Sequence, residues 1–443
     1  MFWENGMKLN LDTINKILNG LVVGIANKAI FTGLVPKFWQ LYLDAKVELG
    51  LDIVDTCATS QCLSVLAKAK YSDTDLISEA VASVVRLRNE EGSWPSAITP
   101  DELKKPETRR KGDTAIGDNC FALTALIDAN FLGDDFIYFK DLSEDYKDLY
   151  YRISYILASV DWLLENKAKD GIGWYYTDNK EAKSESVTLT TLNVLQTFSE
   201  IIHCLKKCST NNKLSCSQRD TCKIYIDKLE KQIKTIVEII VDANNIYENI
   251  QNQWLAIGPK IMTDKPSIVH TCKLLNLLIY NIENNQLFLF SDDCIEDLIR
   301  FVFDNVQSDG NLSRYCEPFY FEYYELKKIS DLGLCTRTIY VEHENFAEGI
   351  ILFTAINIGK YCGKFETQVI TDTIKSITVS ERMSSSRPYF FLCRSKREEK
   401  NKWYCPVYSS YEAYRALKNY IDNYNCIYNT FAVSKNDKSK EKC

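Results

Sequence analysis

Four thiols and an imidazole gather in His203-Cys204, Cys208, Cys216 and Cys222. These are the residue types that fill a tetrahedral zinc shell. Their spacing contains neither CxxC nor HxxxH, so a structural zinc, a redox-labile pair and unlinked thiols all remain open. Asp292-Asp293-Cys294-Ile295-Glu296 follows Ser291 at the start of an amphipathic helix, where carboxylates satisfy free amides and complement the helix dipole; it reads as a cap. The chain has 3 histidines, His203, His270 and His343, which leaves few bases for a serine or cysteine hydrolase. It carries no Gly-rich phosphate loop, no GxSxG elbow and no HExxH. His343, between Glu342 and Glu344, reads as a loop residue.

Composition bounds the partners. With 53 basic against 60 acidic residues the net charge is −7, the wrong sign for a protein that neutralises a phosphate backbone, so no nucleic-acid partner is expected. The most apolar N-terminal stretch, Ile17 to Phe31, is interrupted by Asn19, Asn27 and Lys28, so neither a signal segment nor a membrane span is expected, and the chain reads as cytoplasmic. The 16 cysteines are spread through apolar helical runs such as those around Cys57, Cys62, Cys120 and Cys272, which suits buried free thiols better than a disulfide framework.

The elements that must position any chemistry are helices, and they repeat. Six segments carry small and apolar residues at helical spacing: Thr59 to Ala69, Gly117 to Ala129, Val187 to Phe198, Ser267 to Tyr280, Asn345 to Asn357 and Ser409 to Tyr420. Successive copies stand 60 to 83 residues apart, room for two helices and a loop. Ahead of several runs an amphipathic helix ends in a turn: Ala80 to Arg88 before Glu90-Glu91-Gly92-Ser93-Trp94, Tyr155 to Ala168 before Asp170-Gly171-Ile172-Gly173-Trp174, and Leu298 to Val306 before Gln307-Ser308-Asp309-Gly310-Asn311. Glycine supplies the positive φ that ends a helix, and the Trp can cover the joint between hairpins.

Helix, acidic-Gly turn, aromatic, loop, small-residue helix is the order of the Gln-Trp motif repeats, and over roughly residues 50 to 420 the chain resembles the terpenoid-cyclase and protein-prenyltransferase superfamily. The resemblance implies an α/α toroid around a cavity for an isoprenoid. The Asp-x-Asp-Asp acid of the cyclases is matched only at its end, in Ala115-Ile116-Gly117-Asp118, so protonation-driven cyclisation lacks its acid. Asp118-Asn119-Cys120-Phe121 and Val269-His270-Thr271-Cys272 are similar to the zinc-binding segments of the prenyltransferase β subunit. That likeness implies a zinc on Asp118, Cys120 and His270; the alternative is a capping Asp and a satisfied polar His on two separate helices. Other α/α toroids hydrolyse sugars with inner-helix acids. Asp118 and Glu348 lie at the same repeat height, eight residues before Leu126 and Ile356, and would form such a catalytic pair.

The expected architecture is all-α: a toroid of six helical hairpins over 51–432, an N-terminal helical extension over 1–50 and a disordered polar tail over 433–443. Asp118, Cys120, His270, Cys272, Glu348 and Tyr411 would line the cavity. Three functions follow: binding of an apolar, isoprenoid-like ligand with zinc-dependent prenyl transfer, a non-enzymatic module that binds a protein or peptide, or glycoside chemistry.

Overall fold

The computed structural model describes residues 11–31, 37–39, 54–98, 115–175, 186–244, 267–284, 292–306, 319–328, 334–343, 347–378, 393–394, 403–404 and 407–430. Six helices form an inner ring: α2 (Thr56–Lys68), α4 (Ile116–Asp128), α6 (Thr188–Ser209), α8 (Ile268–Glu283), α10 (Ala347–Cys362) and α12 (Val407–Asp422). Each packs on the next, and α12 packs on α2, so the circle closes. Outside them lie α1 (Leu11–Ala26), α3 (Thr74–Leu87), α5 (Leu149–Glu165), α7 (Cys216–Asn244), α9 (Asp292–Asn305) and α11 (Thr367–Thr378). The six inner helices are the six small-residue segments of the sequence, and the all-α toroid stands.

The ring is set by a repeated tryptophan clip. The Trp94 indole N–H donates to Val84 O at 2.7 Å and the Trp94 backbone N–H donates to Asn119 Oδ1 at 2.9 Å. Trp174 does the same with Leu163 O at 2.6 Å and Thr191 Oγ1 at 3.0 Å. Each indole takes a carbonyl in the last turn of an outer helix, where regular helical donors run out. Each backbone N–H is taken by a side chain in the first turn of the next inner helix. The turn before Trp94 needs Gly92, at φ +101°, because a Cβ there would meet Ala158 O at 2.7 Å.

Trp39 repeats the clip, donating from its indole to Ile25 O at 2.8 Å and from its backbone to Thr59 Oγ1 at 3.1 Å. α1 also packs on both α12 and α2. The stretch read as an N-terminal extension therefore supplies the outer helix of the hairpin that closes the ring. No acidic-Gly turn precedes Trp39, so this copy lacks the sequence mark of the others. The tail expected over 433–443 lies outside the described residues.

Inner helices have neighbours on nearly every side, which explains their many small residues: α2 buries an unbroken run from Ala58 to Leu66. Side-chain hydrogen bonds tie the middle and later turns of neighbouring inner helices: Ser64 to Asp128, Thr124 to Glu200 at 2.9 Å, Asn281 to Ser199 at 3.0 Å, Asn276 to Thr354 at 2.8 Å and Asn419 to Asn357 at 3.0 Å. The inner helices therefore run parallel. Between α9 and α10 the chain forms an antiparallel hairpin of β3 (Phe319–Lys328) and β4 (Leu334–His343), with Phe319 opposite His343. His343 thus ends a strand rather than sitting in a loop. Runs such as Phe319-Tyr320-Phe321 and Thr338-Ile339-Tyr340-Val341 suit a pleated strand, and a reading by helical period passes over them.

Thr191→Val keeps the shape of the clip and leaves the Trp174 backbone N–H without its acceptor, so it is expected to cost about 1–3 kcal/mol in urea unfolding, against about 3–5 kcal/mol for Trp174→Ala. A neutral Thr191→Val would remove the clip from the account of the fold.

Candidate active site

Because the inner helices are parallel, their N-terminal ends share one face. The connections on that face span 27–53, 88–115, 166–187, 245–267, 306–346 and 379–406; those on the other span 69–73, 129–148, 210–215, 284–291 and 363–366. Every connection of the first set is longer than any of the second. Long connections on a rigid frame are where a fold of this kind carries its chemistry.

On that face two carboxyls are brought together by backbone. β1 (Val54–Asp55) pairs antiparallel with β2 (Ala97–Ile98), setting Asp55 opposite Ala97. Thr56 seals the joint by donating its N–H to Ser96 O at 3.1 Å and its hydroxyl to Pro95 O at 2.6 Å. The approach to α4 is thereby fixed against the start of α2. Asp55 caps α2, accepting from the Ala58 N–H at 2.6 Å. Asp118 lies in the first turn of α4, near enough to the Ser96 hydroxyl and the Cys57 thiol for both to favour its ionised form.

The two acids perturb one another. Burial pushes the Asp55 carboxyl up, the nearby Asp118 charge pushes it further, and it reaches about 7. Burial also raises Asp118, but the Ser96 and Cys57 hydrogen bonds favour its ionised form and hold it to about 6. Near neutrality the pair shares a proton. Asp118 was legible in the sequence by its repeat height. Asp55 was not, because a helix-capping Asp is common; its signal was the small-residue helix that follows it. Glu348, the expected partner, is buried at 1% exposure in the first turn of α10, on the ring member opposite α4.

The remaining expected residues are dispersed. Asp118 and Cys120 sit on α4 and His270 on α8, with α6 packed between. The His270 Nδ1 lies 2.7 Å from Ser267 Oγ, and burial with the Lys273 charge lowers its pKa to about 4. Burial pushes the Cys120 thiol up to about 12, away from the thiolate a metal needs. Burial likewise raises Cys208 to about 12 and Cys204 to about 11, and Cys222 is raised as well. Cys216 is exposed beside Arg219, and burial lowers His203. Among the described residues no three His, Cys, Asp or Glu side chains come together to hold a metal, so neither zinc set is assembled.

A cavity of about 350 Å³ runs down the ring, with walls from all six inner helices. Cys120 and Tyr411 line it, as expected, while Asp118, His270 and Glu348 stand at the helix starts and Cys272 is packed in the core. The wall is not the apolar one an isoprenoid needs. It carries Lys68, Glu200, Lys273, Glu412 and Arg415, with Asn276, Asn357 and Asn419. Burial and the neighbouring Asp128 raise Glu200, while Glu412, despite burial, is drawn below its usual range by Lys273 and Arg415. Sequence reasoning passed over these residues because single polar positions in a helix look like surface. The available signal was that inner helices surrounded by neighbours can point such residues only toward the centre.

A raised carboxyl pKa means that the folded state holds its proton more tightly than the unfolded one. Stability associated with Asp55 and Asp118 is therefore greatest at low pH and falls as pH rises from about 4 toward about 7. Asp118→Asn is expected to raise Tm at pH 8 and to change it little at pH 4; a lower Tm at pH 8 would contradict the burial of charge here.

No protein-family model matches this chain and no curated protein matches it. Among solved structures, an unsaturated glucuronyl hydrolase specific for heparin superposes with a TM-score of 0.50 at 11% identity, covering 94% of this chain and 98% of its own. An alpha-amylase from Clostridium perfringens gives 0.49 at 13% identity, covering 91% and 98%. A possible member of the GH105 family from Klebsiella pneumoniae gives 0.48 at 10% identity, covering 95% and 96%. At 11% identity the likeness to the glucuronyl hydrolase is one of fold, and it agrees with the α/α toroid. The terpenoid-cyclase and prenyltransferase resemblance finds no support. Its turn and tryptophan are devices for joining helical hairpins, which toroids of any chemistry can use.

Proposed function

We propose that the chain cleaves glycosidic bonds, with Asp55 as general acid and Asp118 as its ionised partner. The observation that carries this reading is the carboxyl pair itself: two neighbouring acids on the long-loop face with pKa values of about 7 and about 6. Glycoside cleavage asks for one carboxyl that gives a proton to the departing oxygen and one that activates water or attacks the sugar carbon. Asp55, the higher of the two, supplies the proton. Asp118, held ionised by Ser96 and Cys57, supplies the negative charge. The name of the hydrolase that shares the fold at a TM-score of 0.50 supports the reaction class.

The test is release of nitrophenol or of reducing ends by the full chain from a panel of 4-nitrophenyl glycosides and uronic-acid oligosaccharides. Activity is expected to peak between about pH 6 and about pH 7. It falls below as Asp118 takes a proton and above as Asp55 loses its own. Asp55→Asn and Asp118→Asn are each expected to lower kcat about 10²–10⁴-fold. Residual activity of Asp118→Asn should lose its alkaline limb at lower pH, because Asp55 no longer faces a negative neighbour. Glu348→Gln separates this pairing from the one across the ring and is expected to stay within about tenfold of the parent. Full activity in both aspartate variants, or no cleavage of any panel member, would overturn the proposal.

A further inference from the structure

The cavity below the carboxyl pair has a structure that glycosidic cleavage at the rim does not require. An amide row crosses three helices: Asn419 donates to Asn357 Oδ1 at 3.0 Å, Asn357 donates to Asn276 Oδ1 at 2.9 Å, and Asn276 donates to Thr354 Oγ1 at 2.8 Å. Facing groups on α4 and α6 are again polar, with Thr124 and Gln196 both donating to Glu200, at 2.9 and 3.1 Å. Filling a ring centre with amides and ions rather than side-chain hydrocarbon costs stability unless something polar answers them.

The charges in this wall are already answered. Lys68 pairs with Asp128 at 3.0 Å, Lys273 and Arg415 both pair with Glu412, at 3.1 and 3.4 Å, and Lys360 pairs with Glu283 at 3.2 Å. Each of these cations has a carboxylate beside it, so the wall presents no isolated charge to hold an ion. It offers donors and acceptors at fixed points, and aromatic surface as well: Phe121 and Tyr411 meet edge to face at 6.1 Å between ring centres, and the Arg415 guanidinium lies over Phe353 at 4.7 Å. That combination suits a molecule with hydroxyls around its rim and C–H groups on its faces.

The exposed part of the described lining is on the face away from the carboxyl pair. Wall residues near the helix starts, such as Cys120, Leu192, Ile350 and Tyr411, are buried. Glu283 and Lys360, one helical turn or less from the helix ends, are 39% and 36% exposed. The volume, about 350 Å³, lies at the small end of ligand sites and takes a mono- or disaccharide rather than a chain.

We propose that the toroid holds a second ligand site, the charge-paired cavity entered from the C-terminal ends of the inner helices, which binds an uncharged sugar through the Asn276–Asn357–Asn419 row. It is separate from the rim site and does not rest on the carboxyl pair being catalytic. Asn193, on the α6 wall, provides a way to fill the space without removing the amide row.

The test is binding of D-glucose, D-galactose, N-acetyl-D-glucosamine and D-glucuronate to the full chain by saturation-transfer NMR and calorimetry. At least one of the three neutral sugars is expected to bind with Kd about millimolar or tighter, and D-glucuronate no tighter. Asp118→Asn should bind that sugar as the parent does. Asn193→Phe and Asn357→Leu should each weaken it at least tenfold, with Asn193→Leu as the milder filling variant if either fails to fold. No binding of any neutral sugar, a tenfold preference for D-glucuronate, binding lost in Asp118→Asn, or parent-like binding in the cavity variants would each overturn the site. Loss of cleavage in Asp118→Asn with sugar binding intact keeps this result distinct from the fate of the rim proposal.

Discussion

The architecture depends on one repeated interaction, a tryptophan whose indole N–H closes the end of an outer helix while its backbone N–H is accepted by the first turn of the next inner helix. Both donors are buried, so both must be satisfied. The two bonds fix where the inner helix begins and how it is rotated. In the second copy the accepting residue is Asn119, next to Asp118. In the first it is Thr59, one turn from Asp55. The clip that builds the ring thus also decides the height at which the two acids face each other, and the β1–β2 pairing completes the joint.

Burial and the helix dipole act on those acids in opposite directions. The N-terminus of a helix favours a negative charge by about 0.3–1 kcal/mol, which would lower a carboxyl at the start of α2 or α4. Asp55 nevertheless rises from 3.8 to about 7, and each pKa unit corresponds to about 1.4 kcal/mol. Desolvation and the neighbouring charge therefore outweigh the dipole. Asp55 is favoured as an anion by the Ala58 and Cys57 backbone N–H groups and Asp118 by the Ser96 and Cys57 side chains, and what sets the two acids apart is the Asp118 charge raising Asp55.

Much of this was legible from residue types and spacing. Small residues recurring through Thr59 to Ala69 and its five later copies marked the inner helices, and Gly92-Ser93-Trp94 and Gly173-Trp174 marked two of the clips. The hairpin through α1 was hidden because Trp39 follows no acidic-Gly turn. Asp118 stood out by its height in the repeat, whereas Asp55 resembled an ordinary cap and its contact with the second inner helix is made through space by residues 54–55 and 97–98. The family resemblance misled at the cavity. Letters such as Asp118-x-Cys120 and His270-x-Cys272 match a zinc site locally, but ring position keeps them on helices that α6 separates, and the amides of α8, α10 and α12 make the wall polar.

The central claim is that Asp55 and Asp118 share a proton near neutrality because they stand half-buried side by side. The most direct measurement is a carboxyl titration by ¹³C NMR of the aspartate-labelled full chain, with assignment from the Asp55→Asn and Asp118→Asn variants. The account predicts two interacting titrations near 7 and near 6, with the Asp55 midpoint moving down when Asp118 is replaced. Two independent midpoints close to the ordinary 3.8, with neither shifted by the other's substitution, would contradict it.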